Sequence, residues 1–97
     1  MSTMKIRLRV EGLPLLYKTL NKKKELDFEF SGTTLREFIS SLAKKYGPGV
    51  NKALLDNKGE VDMELRVVVN KSEYLSYGER MEAALHDGDT LHLMTVG

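Results

Sequence analysis

Close to its C-terminal end the chain carries His86, Asp87, Asp89 and His92, the grouping whose side chains come nearest to a set that could ligate a divalent metal or pass a proton. The same segment has a simpler use. Asp87-Gly88-Asp89 is what a tight polar turn needs, and the alternation that follows sets His92 on the strand face opposite Leu91 and Leu93. We read these residues as turn and strand and assign them no metal and no catalytic role. A second grouping, Lys22, Lys23 and Lys24 with Lys44 and Lys45, has the charge to meet RNA or an acidic partner. Fifteen Lys and Arg stand against fourteen Asp and Glu, a formal charge of +1, and the run holds no aromatic platform for bases. It reads as a solvated turn plus favourable charge at a helix C-terminus, with no nucleic acid as partner.

The absence of cysteine excludes disulfides, thiolate zinc sites, iron–sulfur clusters and a cysteine nucleophile. A glycine-rich phosphate loop, a dinucleotide fingerprint, a paired zinc-histidine motif and a nucleophile elbow are missing as well, so the residues give no ground for an enzyme. The methionines, Met63, Met81 and Met94 among them, adjoin apolar neighbours and read as core fillers.

The elements that must position these residues follow from periodicity. Met4, Ile6, Leu8 and Val10 alternate with Lys5, Arg7, Arg9 and Glu11, which predicts a strand with one wet face. Gly12 to Lys24 is a partly apolar hairpin connection with room for a turn of helix. Leu26, Phe28 and Phe30 alternate with Asp27 and Glu29 in a second strand. Leu35, Phe38, Ile39, Leu42, Ala43 and Tyr46 then recur at helical spacing, with Thr34 and Glu37 as a capping box and Gly47-Pro48-Gly49 as the stop. Val50 to Leu55 suits a short helical piece and Asp56-Asn57-Lys58-Gly59 a turn. Leu65 to Asn70 predicts a third strand, Tyr74, Leu75 and Tyr77 a short fourth, and Thr90 to Met94 a last one.

That order predicts an α+β domain, a mixed sheet with one main helix packed on one face. The β-grasp and other α+β rolls share it, so periodicity narrows the topology without fixing it. The 97 residues fit a single domain, with 41% hydrophobic and 30% charged residues in the globular range. No apolar run approaches a membrane span and none follows Met1 as a signal peptide would, so we expect a cytoplasmic protein with no membrane partner. The sequon Asn70-Lys71-Ser72 is then a chance match.

Thr33-Thr34-Leu35-Arg36-Glu37-Phe38 at the helix start, Val69-Asn70-Lys71 at a strand end, Leu85-His86-Asp87-Gly88-Asp89-Thr90-Leu91 entering the last strand and Gly97 at the end together resemble the MoaD/ThiS family of ubiquitin-like (β-grasp) sulfur carriers. That family includes the small subunit of molybdopterin synthase, the thiamine-pathway carrier and archaeal ubiquitin-like modifiers. The resemblance implies a carrier whose terminal carboxylate, here on Gly97, is adenylated from ATP by a MoeB/ThiF-like adenylyltransferase and converted to a thiocarboxylate. It implies sulfur delivery for molybdopterin, tungstopterin or thiamine synthesis, to a molybdopterin synthase large subunit or another acceptor, or joining to a protein lysine. ATP would belong to the partner enzyme and no cofactor would be held by this chain. Thr95 and Val96 would lie with Gly97 as a short tail, 95–97, in the partner's channel.

Ubiquitin-like proteins bind partners through a sheet face together with the tail. Here Arg7, Arg9, Arg66 and His92 would line such a face near Thr90, as a partner surface or an ordinary solvated one. The alternative function is a non-activated β-grasp interaction module. Val96, stiff and β-branched, stands where the family has a second glycine, and that residue separates the two readings.

Overall fold

The computed structural model describes residues 3–62, 65–70, 73–74 and 80–95. The first alternating stretch forms β1, Met4–Glu11, and the second forms β2, Glu25–Phe30. Between them the chain makes a six-residue helix, α1, Pro14–Thr19, started by a proline whose fixed φ suits the first turn. The main helix α2 spans Leu35–Tyr46, and Gly47 closes it with its N–H on the Ala43 carbonyl. A second short helix, α3, covers Gly49–Leu54. The strands β3, Leu65–Val69, β4, Glu73–Tyr74, and β5, Thr90–Thr95, follow, with a 3-10 turn at Arg80–Glu82. Of the residues expected in the fourth strand, Tyr74 is in β4, while Leu75 and Tyr77 fall outside the described residues.

The sheet runs in the order β2-β1-β5-β3-β4. β1 and β5 pair in parallel at its centre, and the other neighbours pair antiparallel. This is the mixed α+β sheet of the β-grasp, with α2 on one face. Ile6, Leu8, Leu91 and Leu93 point from the two central strands into the core and are almost wholly shielded from solvent. Leu35, Phe38, Ile39 and Leu42, the predicted stripe of α2, meet them from the other side. Leu13, Leu16 and Leu20 from the α1 region and Val50 and Leu54 from α3 close the core where α2 alone would leave it open. The long connection after β1 is thus a structural wall and more than a hairpin loop. No helix among the described residues is long and apolar enough to cross a membrane.

Two local features differ from a simple reading of alternation. Val68 lies on the face opposite the core yet is buried, beside its ladder partners His92 and Tyr74. Leu65-Arg66-Val67-Val68-Val69 therefore buries both faces over its last three residues. Second, β5 extends one residue beyond Met94. Thr95 is paired with Leu65 in the sheet, which corrects its placement in a free tail: β3 offers one more ladder position there than the β5 alternation alone reveals.

The capping box forms as the spacing predicts. The Thr34 hydroxyl accepts the Glu37 N–H at 3.3 Å, and the Glu37 carboxylate accepts the N–H groups of Thr33 and Thr34 at 3.0 and 3.2 Å. The Thr33 amide first, then the Thr34 hydroxyl and amide, hold the Glu37 carboxyl below its usual range. A carboxylate with a lowered folded pKa adds stability that is complete above the unfolded value and is lost as pH falls through the folded one. Glu37→Gln should therefore lower Tm at neutral pH, and the gap to the parent should narrow as the pH falls from about 5 through and below the ordinary glutamate value of about 4.3. Thermal melts across that range test it, and a gap that stays constant with pH would show that the charge plays no part.

Candidate functional site

The last strand is held at its start from both sides. On the β1 side, the Asp87 carboxylate accepts the Lys5 N–H at 2.8 Å, the Gly88 N–H donates to the Lys5 carbonyl at 2.9 Å, and the Arg7 N–H donates to the Asp89 carbonyl at 3.0 Å. Gly88 has φ +89°, a value open to glycine without strain, so the turn bends here. On the β3 side, the nearly buried Asp89 carboxylate accepts Asn70 Nδ2 at 3.0 Å and the His86 N–H at 2.9 Å. Asn70, itself at φ +54°, returns its Oδ1 to the Thr90 N–H at 2.9 Å. The Asp-Gly-Asp turn and Asn70 thus fix where β5 enters the sheet and in what register.

The far end of β5 is set by packing. Gly12 has φ +71°, and a Cβ placed on it would stand 2.8 Å from Thr95 Oγ1. A larger residue would collide there, so glycine lets the turn after β1 close over the end of β5. Because the two strands are parallel, Glu11 pairs with Met94, and the end of β5 lies beside the β1–α1 turn. An open groove of about 460 Å³ lies at that place, lined by Arg9, Glu11, Leu13, Tyr17, Lys24 and His92 among others. Val96 and Gly97, the residues next in sequence, fall outside the described residues.

The four residues expected to line one sheet face do so. Arg7, Arg9 and Glu11 point away from the core on β1, and the register sets Arg7 beside Thr90, Arg9 beside His92 and Arg66 beside Met94. The face is not a bare basic patch. Arg7 donates to Glu25 at 2.6 Å and stands 3.3 Å from Asp27, while Arg9 reaches Glu25 at 4.0 Å. Glu25 first, then Asp27, raise the Arg7 pKa above its already high ordinary value. Exposed pairs like these contribute little stability, but they order the arginines. His92 Nε2 lies 3.8 Å from Glu11, an ion pair only while the imidazole is protonated.

Sequence reasoning missed Glu11, Tyr17 and Lys24 at the groove, and Glu25 and Asp27 as partners of the arginines. A strand-pairing expectation of β1 with β2 puts Asp27 opposite Arg7, which was the available signal. The groove had none, since it needs the α1 fold. His86 stands largely in solvent, 3.7 Å from Asp89, and His92 faces Glu11. Among the described residues no three metal-ligating side chains gather into a site.

No family model matches the chain, and no curated protein matches its sequence. Solved structures do match its fold. A chain of the BexX/CysO complex of Amycolatopsis orientalis superposes with a TM-score of 0.76 at 22% identity, covering 95% of this chain and 96% of that one. The H. volcanii small archaeal modifier protein 1 gives 0.71 at 17%, with 95% and 97% covered. Urm1 from Trypanosoma brucei gives 0.70 at 25%, with 98% and 95% covered. The likeness runs nearly end to end on both sides and is one of fold: the chain shares the β-grasp fold of these proteins.

Proposed function

We propose that this chain is a sulfur carrier or ubiquitin-like modifier that reacts at the carboxyl carbon of Gly97. The observation that carries the reading is the placement of β5. It is the central strand, parallel to β1, fixed at its start by Asp87, Asp89 and Asn70; its end lies beside an open groove, and Val96 and Gly97 follow it in sequence. Likeness in fold to a protein named a modifier, and to one solved in a two-protein complex, supports a small protein that works through partners.

A free carboxylate is a poor electrophile. In this reading a partner adenylyltransferase of the MoeB/ThiF type lets the Gly97 carboxylate attack the α-phosphorus of ATP, with pyrophosphate leaving. A donor at the oxidation level of hydrosulfide then adds to the acyl carbon and AMP departs, which leaves the thiocarboxylate. Glycine suits the position because, without Cβ, it passes a narrow channel and adopts backbone conformations closed to other residues. The chain is substrate and carrier, not catalyst, and ATP is bound and consumed by the partner enzyme, in the cytoplasm. Arg7, Arg9 and His92, each beside an acidic neighbour, offer the enzyme a surface together with Arg66, with Val96 entering its channel. The thiocarboxylate would serve molybdopterin, tungstopterin or thiamine synthesis.

The test is the intact mass after incubation with ATP, an adenylyltransferase of this type and hydrosulfide. We expect exchange of one oxygen for sulfur in the parent and none after deletion of Gly97. An unchanged parent mass with several such enzymes would refute activation. The second reading, a non-activated interaction module, is favoured by Val96 before Gly97 and by Thr95 being held in the sheet. A Val96→Gly variant that gains the adduct while the parent gains none would support it.

A further inference from the structure

Among the described residues the sheet has one long open edge. Its order ends in β4, two residues long, on one side and in β2, six residues long, on the other. Which backbone groups of β2 are open follows from the hydrogen bonds of β1. The Arg7 N–H and the Lys5 carbonyl bond to Asp89 and Gly88, on the β5 side. The Val10 N–H bonds to the Lys24 carbonyl, on the β2 side. In an antiparallel pair the hydrogen-bonding direction alternates residue by residue. Hence Leu26, Phe28 and Phe30 turn their amides and carbonyls toward β1, and Glu25, Asp27 and Glu29 turn theirs outward. Among the described residues nothing bonds to those outward groups.

The two sides of this edge differ in chemistry. On the polar face the outermost side chains are the acids Glu25, Asp27 and Glu29, with Lys5, Arg7 and Arg9 one strand further in. On the helix side a shallow groove runs between β2 and α2 over the edges of Phe28 and Phe30, with Ser41, Lys44 and Lys45 on its far wall. Lys45 Nζ sits 5.7 Å from the Phe28 ring centroid and 5.5 Å from that of Tyr46, so the cation is held over the aromatic floor.

We infer that β2 accepts an added strand from a partner protein, an extended segment with lysine or arginine at alternate positions and aliphatic and acidic residues between them. The basic residues would lie beside Asp27 and Glu29, across the short distance between neighbouring strands. The intervening side chains would enter the groove, aliphatic ones over Phe28 and an acidic one toward Lys44 and Lys45. The outward backbone groups of Asp27 and Glu29 would complete the ladder. A second copy of this chain is a poor occupant, because pairing two β2 strands antiparallel about a two-fold axis sets acid against acid along the whole edge.

Amide chemical-shift mapping of the full chain tests this with a blocked synthetic peptide that alternates lysine with valine and isoleucine and has one glutamate in the aliphatic phase. Shifts are expected at residues 25–30, 44 and 45, with affinity about tenfold above that of a peptide bearing glutamate in place of each lysine. Asp27→Pro removes an outward N–H and leaves the ladder to β1 intact, and it should lower affinity about tenfold. Should that variant not fold, Glu29→Lys keeps the backbone and should narrow or reverse the preference between the two peptides. Equal binding of both peptides, no shifts in β2 at millimolar peptide, or sedimentation showing a dimer that masks β2 would each overturn the proposal.

Discussion

Replacing Phe38 by alanine is expected to cost about 3–5 kcal/mol, a large share of the roughly 5–15 kcal/mol that holds a chain of this size folded. Phe38 is fully buried and stands edge-on to two rings, 5.6 Å from the Phe28 centroid and 5.3 Å from that of Phe30. Those two rings stack on each other at 6.4 Å, so the three form one cluster joining α2 to β2. Removing the central ring leaves a cavity that two rigid neighbours on a strand cannot fill. Urea unfolding gives the measurement, with Leu15→Ala as control, since Leu15 is half exposed and should change stability by less than about 0.5 kcal/mol. A Phe38 cost below about 1 kcal/mol would mean that the cluster does not join helix to sheet.

The second large effect is expected at Asp89. Its carboxylate takes N–H groups from Asn70 and His86, and both lose their acceptor in Asp89→Ala. Donors left unsatisfied near a charge-assisted site cost about 1–3 kcal/mol, and hydrogen bonds to charged groups lie at the upper end. Asp89→Asn should cost nearly as much, because an amide turns its own N–H₂ toward one of the two donors. Asn70→Ala loses the acceptor for the Thr90 N–H and places alanine at φ +54°, so it should also destabilise by about 1–3 kcal/mol. Because the two residues share one network, Asp89→Ala with Asn70→Ala should cost less than the two single changes added, and a double-mutant cycle reads that coupling. Strict additivity would show that Asp89 and Asn70 act apart and that the turn alone sets β5.

Local chemistry made much of this protein legible. β1 is where Met4 to Glu11 alternates, and the Thr34–Glu37 box starts α2 where its spacing says. Gly47 ends that helix, and Asp87-Gly88-Asp89 makes the turn before β5. Each rests on residues a few positions apart, whose preferred conformations agree with the fold around them. That agreement is why a mixed sheet with one main helix could be expected before any contact was known, the β-grasp among α+β rolls being what the resemblance to the MoaD/ThiS family implied.

The sequence alone determined which residues face the core, where the main helix begins and stops, and that no thiol chemistry is present. Tertiary structure decided what those elements do for one another. The Asp87 carboxylate meets the Lys5 amide across 82 positions, and only that closure tells that β5 inserts beside β1 and parallel to it. Pairing of β1 with β2 gave Arg7 and Arg9 their acidic partners, pairing of β3 with β5 buried Val68 on the polar face and drew Thr95 into the sheet, and the strand order left β2 as an open edge among the described residues. The physical reason is that side-chain period and capping are set by near neighbours along the chain, whereas strand order and register depend on contacts that exist only once distant segments have met.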